Sequence, residues 1–304
     1  MKIIVSGSIA FDIILDFPGK FSDHIDVEKI HSLSVSFLVD KVQKSIGGTA
    51  ANIAYNLVSL GLKPELVGNV GTDGREILRR LSRMGAGTSG VRISKKFGTS
   101  TAFVMTDRVD NQISAFYVGA MREKVLFPKV TPKDWPIIAA ADPKNMTALA
   151  KFYQKYHLRY IYDPGQQITA LSSSQLREGV KGASIIVGND YEISQLLKKL
   201  GRVKPSAIIF KTLGPRGSEI IYPNRRTVKV RAIASTRVVD PTGAGDAYRA
   251  GLIKGIVEGL DLERAAQLAS TAAVFAVECY GTQNHKINYD IIRRRHNKNY
   301  KKKI

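Results

Sequence analysis

Short apolar runs that end in small residues alternate with amphipathic segments of helical spacing along most of this chain, and few folds accept that rhythm. Residues 2–8 (KIIVSGS) have the near-continuous apolar character of a strand buried on both faces, and residues 48–60 carry helical spacing closed by Gly61. Residues 65–70 read as a second strand. After Asp73-Gly74, Ile77, Leu78, Leu81 and Met84 share one face of a helix that stops at Gly85. The rhythm resumes after Pro136, with strands over 137–141, 160–162, 185–187 and 208–211 and helices over 143–156, 173–181 and 191–200. Two more helices, 244–259 and 262–279, are joined at Leu260-Asp261, where Asp261 is placed to cap the second. The pattern predicts an α/β fold, a mostly parallel sheet sandwiched by helices, with ligands at the carboxyl ends of the strands.

Four segments differ. In 11–17, 34–39, 100–105 and 112–118, apolar residues alternate with polar ones, as in strands with one solvated face, and Val109-Asp110-Asn111 suits a turn between the last two. They predict a small β-sheet that serves as a lid over a site or as an oligomer contact. The expected organisation is one domain over 1–292, with lid segments at about 11–40 and 98–120 inserted in it, and a basic tail over 293–304. At 304 residues and 33.4 kDa the chain is long enough for one such domain.

The formal net charge of +20 comes from 46 Lys and Arg against 26 acidic residues. Part is local: Arg293-Arg294-Arg295 and Lys301-Lys302-Lys303 have no acid between them, which predicts a solvated tail able to touch RNA without sequence preference. The rest would concentrate anionic substrates. Cys279 is the only cysteine, so no internal disulfide or cysteine-based zinc site can form, and a reducing cytosol is expected. No 18-residue apolar run occurs, so neither export nor membrane insertion is expected. His24, His31, His157, His285 and His296 share no metal-ligand spacing.

The chemistry concentrates in Asp240-Pro241-Thr242-Gly243-Ala244-Gly245-Asp246, a turn that opens a helix. Gly243, Ala244 and Gly245 let backbone N–H groups converge where the helix dipole is positive, which suits a phosphate or a developing oxyanion. Asp246 beside them is a candidate base, since storage of an anion alone would not call for that acid. No Walker loop, Rossmann glycine fingerprint or HExxH helix is present. Asn189-Asp190-Tyr191-Glu192 follows another strand, where an amide and a carboxylate suit hydrated Mg²⁺. Together these segments point to phosphoryl transfer.

Gly47-Gly48-Thr49-Ala50-Ala51-Asn52 resembles the amino-terminal glycine signature of the ribokinase (PfkB) family, and residues 240–246 resemble its carboxy-terminal signature. Asn189 and Glu192 match its N-x-x-E motif, in the family's order and spacing. Within the family the chain is most similar to bacterial-type adenosine kinases, on residues 7–12 (GSIAFD), 17–22 (FPGKFS), 36–40 (SFLVD), 163–167 (DPGQQ), 212–217 (TLGPRG) and 281–283 (GTQ).

The resemblance implies a ribokinase-like fold and ATP-dependent transfer of the γ-phosphoryl group to the 5′-hydroxyl of a nucleoside, adenosine giving AMP. It implies Asp246 as base, with Gly243, Ala244 and Gly245 around the transferring group. Asp12, Asn52 and the Gly48 backbone would hold the ribose; Ser8, Ser36, Gln166 and Gln167 would reach the base, with Phe103 and Phe116 stacking on it. ATP would lie along Thr212, Gly214 and Gly217, with its adenine near residues 269–273, beside Asn189 and with Mg²⁺ at Glu192. Potassium dependence and a homodimer through the lid are further expectations. The alternatives are a sugar kinase of the ribose or fructose type and a nonenzymatic nucleotide- or RNA-binding protein.

Overall fold

A computed structural model describes residues 1–32, 34–109 and 111–301. Lys302 and Lys303 of the basic tail and Asp110 of the lid turn lie outside the described residues. Among the described residues, nine strands form one sheet in the order β13-β12-β11-β10-β9-β8-β1-β4-β5. These are β1 (Ile3–Ser6), β4 (Pro64–Gly71), β5 (Gly87–Ser94), β8 (Trp135–Ile138), β9 (Tyr160–Tyr162), β10 (Ala183–Asn189), β11 (Ile208–Thr212), β12 (Ser218–Ile221) and β13 (Thr227–Val230). From β5 to β11 every pairing is parallel, and β12 and β13 extend one edge antiparallel. The parallel core is as predicted, whereas β5 and the β12–β13 hairpin were not foreseen: β5 is Gly- and Ser-rich and half-exposed, so it lacks the apolar run of a central strand.

Strand periodicity assigns the side chains to two cores. Val5, Ile161, Ile185, Val187 and Phe210 face one layer, packed with α1 (Thr49–Ser59), α2 (Arg75–Met84), α6 (Ala244–Val257) and α7 (Leu262–Val277). Their neighbours Ile4, Tyr160, Tyr162, Ile186 and Ile209 face the other, packed with α3 (Pro143–Lys155), α4 (Ser173–Lys181) and α5 (Asp190–Leu200). Helices α6 and α7 approach closely because Gly251 and Gly255 oppose Ala269 and Ala265; a Cβ on Gly251 would lie 2.7 Å from the Ala269 Cα. Within the stretch 269–273, Ala269, Thr271 and Ala272 are fully buried.

The second sheet has the order β3-β2-β6-β7, built from β2 (Ala10–Asp16), β3 (Lys41–Gly47), β6 (Ser100–Thr106) and β7 (Gln112–Tyr117). Three of the four expected segments are there. The fourth is corrected: 34–39 contains no strand among its described residues, and β3, from Lys41, takes the place beside β2. Phe37 instead joins an aromatic cluster with Phe17 and Phe21, at 5.0 and 5.2 Å between ring centroids. An apolar alternation fits either use, and the aromatic cluster won.

The expectation of a solvated tail from 293 is also corrected. Helix α8 (Tyr289–Tyr300) is capped by Asn288 and docks through Ile292 and His296, both fully buried. Arg295 pairs with Glu278 at 2.6 Å and lies 4.8 Å from the Phe275 ring. Much of the basic run is thus held on the protein by helical periodicity that charge had masked. No helix among the described residues is long and apolar enough to cross a membrane.

Candidate active site

The sheet order reverses between β1 and β8: from β1 the chain builds outward through β4 and β5, then returns to build through β8 to β11 on the other side. The crevice beyond the carboxyl ends of those two strands is where an open α/β sheet takes its ligand. Ser8 N donates to the Ala140 carbonyl across this gap at 3.0 Å. Ser8 Oγ accepts from Thr49 N at 3.0 Å, which caps the start of α1. Gly48 turns the chain at φ 88°, and a Cβ there would lie 2.6 Å from the Ser8 carbonyl, so glycine is required on both counts. Gly47 has a different reason: its missing Cβ leaves the space that the Asp12 carboxylate occupies.

Opposite stands the first turn of α6, with Gly243 as N-cap at φ 80°. Asp240 braces this turn, accepting from Thr242 N at 2.9 Å and Gly281 N at 3.0 Å. The Ala244 N–H donates to the Pro241 carbonyl at 3.2 Å, so of the three cradle residues it is engaged within the turn itself. Helix geometry leaves the amides of Gly245 and Asp246 without intrahelical partners, pointing toward the crevice.

Asp246 is only partly open to this crevice, and the Asn52 amide donates to its Oδ2 at 2.8 Å. Burial pushes its carboxyl up to about 7, against the pull of Arg249 and the Asn52 hydrogen bond and helped by the nearby Asp163 and Asp12 charges. Burial likewise raises Asp12 to about 6. A carboxylate so placed is a competent base near neutral pH.

Behind this pair lie residues that sequence reasoning gave no role. Gln283 Nε2 donates to Asn52 Oδ1 at 2.9 Å, which fixes the amide so that its nitrogen faces Asp246. Asn56 donates to the Asn52 carbonyl at 2.9 Å and meets His285 Nε2 at 2.7 Å; burial lowers that histidine to about 4, so it is neutral. Arg249 is buried and grips both oxygens of Asp163, with Nη2 at 2.7 Å from Oδ1. An arginine within the apolar run of α6 is a sequence signal of a buried ion pair, although the partner cannot be read from it.

The other expected residues fall in two groups. Asn189 and Glu192 form a reciprocal capping box on α5, at 2.8 Å in each direction, and Glu192 Oε2 lies 3.8 Å from Arg249. Glu192 is raised by burial and by the Asp163 charge. Among the described residues no group of three or more His, Cys, Asp or Glu converges on a metal position. Gln166 and Gln167 lie on the short turn Gly165–Ile168, with Gln166 exposed. Thr212 ends β11 and approaches the Gly188 carbonyl at 3.5 Å; Gly214 and Gly217 flank a turn, and Gly217 lacks a Cβ where the Val230 carbonyl passes. Ser36 is exposed on the irregular stretch before β3.

Lid register corrects one pairing. Asp12, Ala102 and Phe116 stand abreast across β2, β6 and β7 and share a face, whereas Phe103 pairs with Ile13 and Ala115, one residue out of phase. Phe103 and Phe116 therefore point to opposite faces of the sheet and cannot sandwich one base within a single chain.

Comparison with known proteins agrees with this architecture. The chain matches the model of the pfkB family carbohydrate kinases over residues 19–288. It is 34% identical to a nucleoside kinase of Methanothermobacter thermautotrophicus, over 93% of this chain and 91% of that protein. The nucleoside kinase of Burkholderia thailandensis in complex with inosine superposes with a TM-score of 0.86 at 28% identity, covering 99% of this chain and 100% of the other. The same enzyme in complex with ADP-inosine gives 0.82 at 30% identity, covering 99% and 97%. These findings set aside the nonenzymatic alternative. With its ribokinase-like fold, paired glycine turns and an aspartate at the start of α6, the chain is a kinase and belongs to the pfkB family of carbohydrate kinases.

Proposed function

We propose that this kinase transfers the γ-phosphoryl group of ATP to the 5′-hydroxyl of a nucleoside, with adenosine, giving AMP, as the first acceptor to test. One observation carries the choice of a nucleoside over a bare sugar. Phe116, an exposed aromatic, shares its lid face with Asp12, so a ribose held by Asp12 would have a stacking surface for its base on the same side. The similarity to two nucleoside kinases supports the same reading.

In this proposal Asp246 takes the proton of the attacking hydroxyl as the bond to phosphorus forms, and Asn52 holds its carboxylate in line. The first-turn amides of α6 receive the charge on the transferring group, where one such donor is typically worth about 10²- to 10³-fold in rate. Ser8, Gly48, Gln166 and Gln167 line the acceptor side, and Thr212, Gly214 and Gly217 the donor side with Asn189. Mg²⁺ fits as an ion carried on the nucleotide phosphates and water, with Glu192 as its protein carboxylate, which is the usual economy of magnesium in kinases. When bound it neutralises phosphate charge.

The outer lid face, with Ile13, Phe103, Met105 and Ile113, and the edge of β7 suit a second copy of the chain, giving a homodimer. Sedimentation across a concentration series tests this, and a monomer at all concentrations overturns it. For the reaction, adenosine, inosine, guanosine, cytidine, ribose and fructose are compared by coupled ADP release. Phosphorylation of nucleosides is expected, and turnover of free sugars alone would assign the sugar-kinase alternative.

A further inference from the structure

Arg249 lies one turn beyond Gly245 on α6 and is 7% exposed. Its Nε and Nη2 hold both oxygens of Asp163, which is 1% exposed at the end of β9. Nη2 also lies 3.8 Å from Glu192 Oε2 on the first turn of α5. Nη1 stands 2.7 Å from where a Cβ on Gly245 would be, so this glycine, beyond serving the anion cradle, leaves room for the guanidinium. One side chain thus ties α6 to the segments that follow β9 and β10.

Its location is costly by elementary electrostatics. A buried cation loses several kcal/mol of hydration, and at a helix amino terminus it opposes the dipole. The surrounding acids explain its retention: Asp163 from the end of β9, Glu192 from α5 and Asp246 from α6. Without the guanidinium, these carboxylates would face one another across a site meant for phosphate. Lysine would keep the charge but lose the planar two-point grip that fixes the angle of α6.

We propose that Arg249 is a positioning residue for phosphoryl transfer: through Asp163 it locks the first turn of α6, and with it Asp246, against the ends of β9 and β10. Its charge also favours the ionised carboxylate of Asp246, against the push of burial. This rests on the proposed role of Asp246, so the Asp246→Asn variant is measured alongside.

The test uses the full chain with the best acceptor from the screen, so failure on nucleosides does not prevent it. Arg249→Met, Arg249→Lys and Asp163→Asn are compared for kcat, acceptor KM, the pH profile of kcat and thermal unfolding. Arg249→Met is expected to lower kcat about 10²-fold, the scale of a 1 Å misplacement of reacting groups, with acceptor KM changed less than about threefold. Its acid limb should move to higher pH, because Asp246 loses its neighbouring cation. Arg249→Lys should keep the limb in place yet lose kcat, and Asp163→Asn should lose kcat as well. A folded Arg249→Met with kcat within about threefold of wild type, or with an unmoved limb, reduces the pair to a structural tie and overturns the proposal. If that variant does not fold, full kcat in both Arg249→Lys and Asp163→Asn overturns it instead. An Asp246→Asn enzyme with undiminished kcat removes the premise.

Discussion

Asn52 donates its side-chain amide to Asp246 at 2.8 Å across 194 positions of sequence. Gln283 holds the other end of that amide, so the orientation of the carboxylate is set from α1 and from the loop before α8 together. The two signature segments, 47–52 and 240–246, therefore meet in one hydrogen bond.

Replacing Asp246 by Asn removes the proposed base but keeps its volume. The variant should lose about 10²- to 10⁴-fold in kcat, the range for a positioned general base, while acceptor affinity by calorimetry stays within a few-fold. Wild-type turnover in a folded variant would remove Asp246 from the reaction.

The pH dependence has a definite sign. In the proposed role Asp246 acts only when deprotonated, and burial raises its carboxyl to about 7. The kcat/KM value should therefore climb with pH and level off above about 7, falling about tenfold per pH unit on the acid side. Asp12, raised to about 6, would steepen the fall below that point if its ionised form grips the ribose. A profile flat down to pH 5 contradicts both assignments.

The two lid phenylalanines should behave differently. Phe116→Ala removes the aromatic surface on the Asp12 face and should raise nucleoside KM about tenfold, as expected for a stacking contact of about 1–1.5 kcal/mol. Phe103→Ala, on the other face, should weaken self-association and change the KM of isolated monomers by less than about twofold. Equal KM effects in dilute protein would show that lid register does not separate the two roles.

Glu278 is a hub for the carboxyl-terminal helix. It accepts from Arg295 at 2.6 and 2.8 Å, from Thr236 N at 2.8 Å and from the Thr236 hydroxyl at 3.0 Å. The Arg295 hydrogen bonds, with those of Thr236, hold its carboxyl down at about 2. Its stabilisation is therefore present above the unfolded value near 4.5 and is lost as pH falls toward 2. Glu278→Gln should cost about 1–3 kcal/mol in urea unfolding at pH 7, and the difference from wild type should vanish at about pH 2. A constant difference across pH would exclude the ion pair as the cause.

Local chemistry is legible in sequence wherever it is enforced locally. At glycines 47, 48 and 245 backbone or side-chain atoms occupy the place of a Cβ, Gly243 turns the chain at φ 80°, and short-range pattern marks such turns. The capping residue Asp261 was readable for the same reason, as was the parallel core of buried strands, whereas Asn189, read as an amide for a hydrated ion, caps α5. Lid strand β3 was missed because its Lys- and Gln-containing alternation resembles a loop, while 34–39 has the better strand composition and gives Phe37 to the Phe17 cluster.

Sequence by itself determined the α/β rhythm, the anion turn with its aspartate and the family to which they belong. Tertiary structure decided which groups meet: Asn52 with Asp246, Arg249 with Asp163, and Phe116 rather than Phe103 on the sheet face of Asp12. The reason is physical. Turns and helix caps depend on residues a few positions apart, but a buried ion pair, an amide orientation and a sheet face depend on strand register and on helices packed from distant parts of the chain. One residue of register turns a side chain to the other face, and no local pattern records which side the cleft is on.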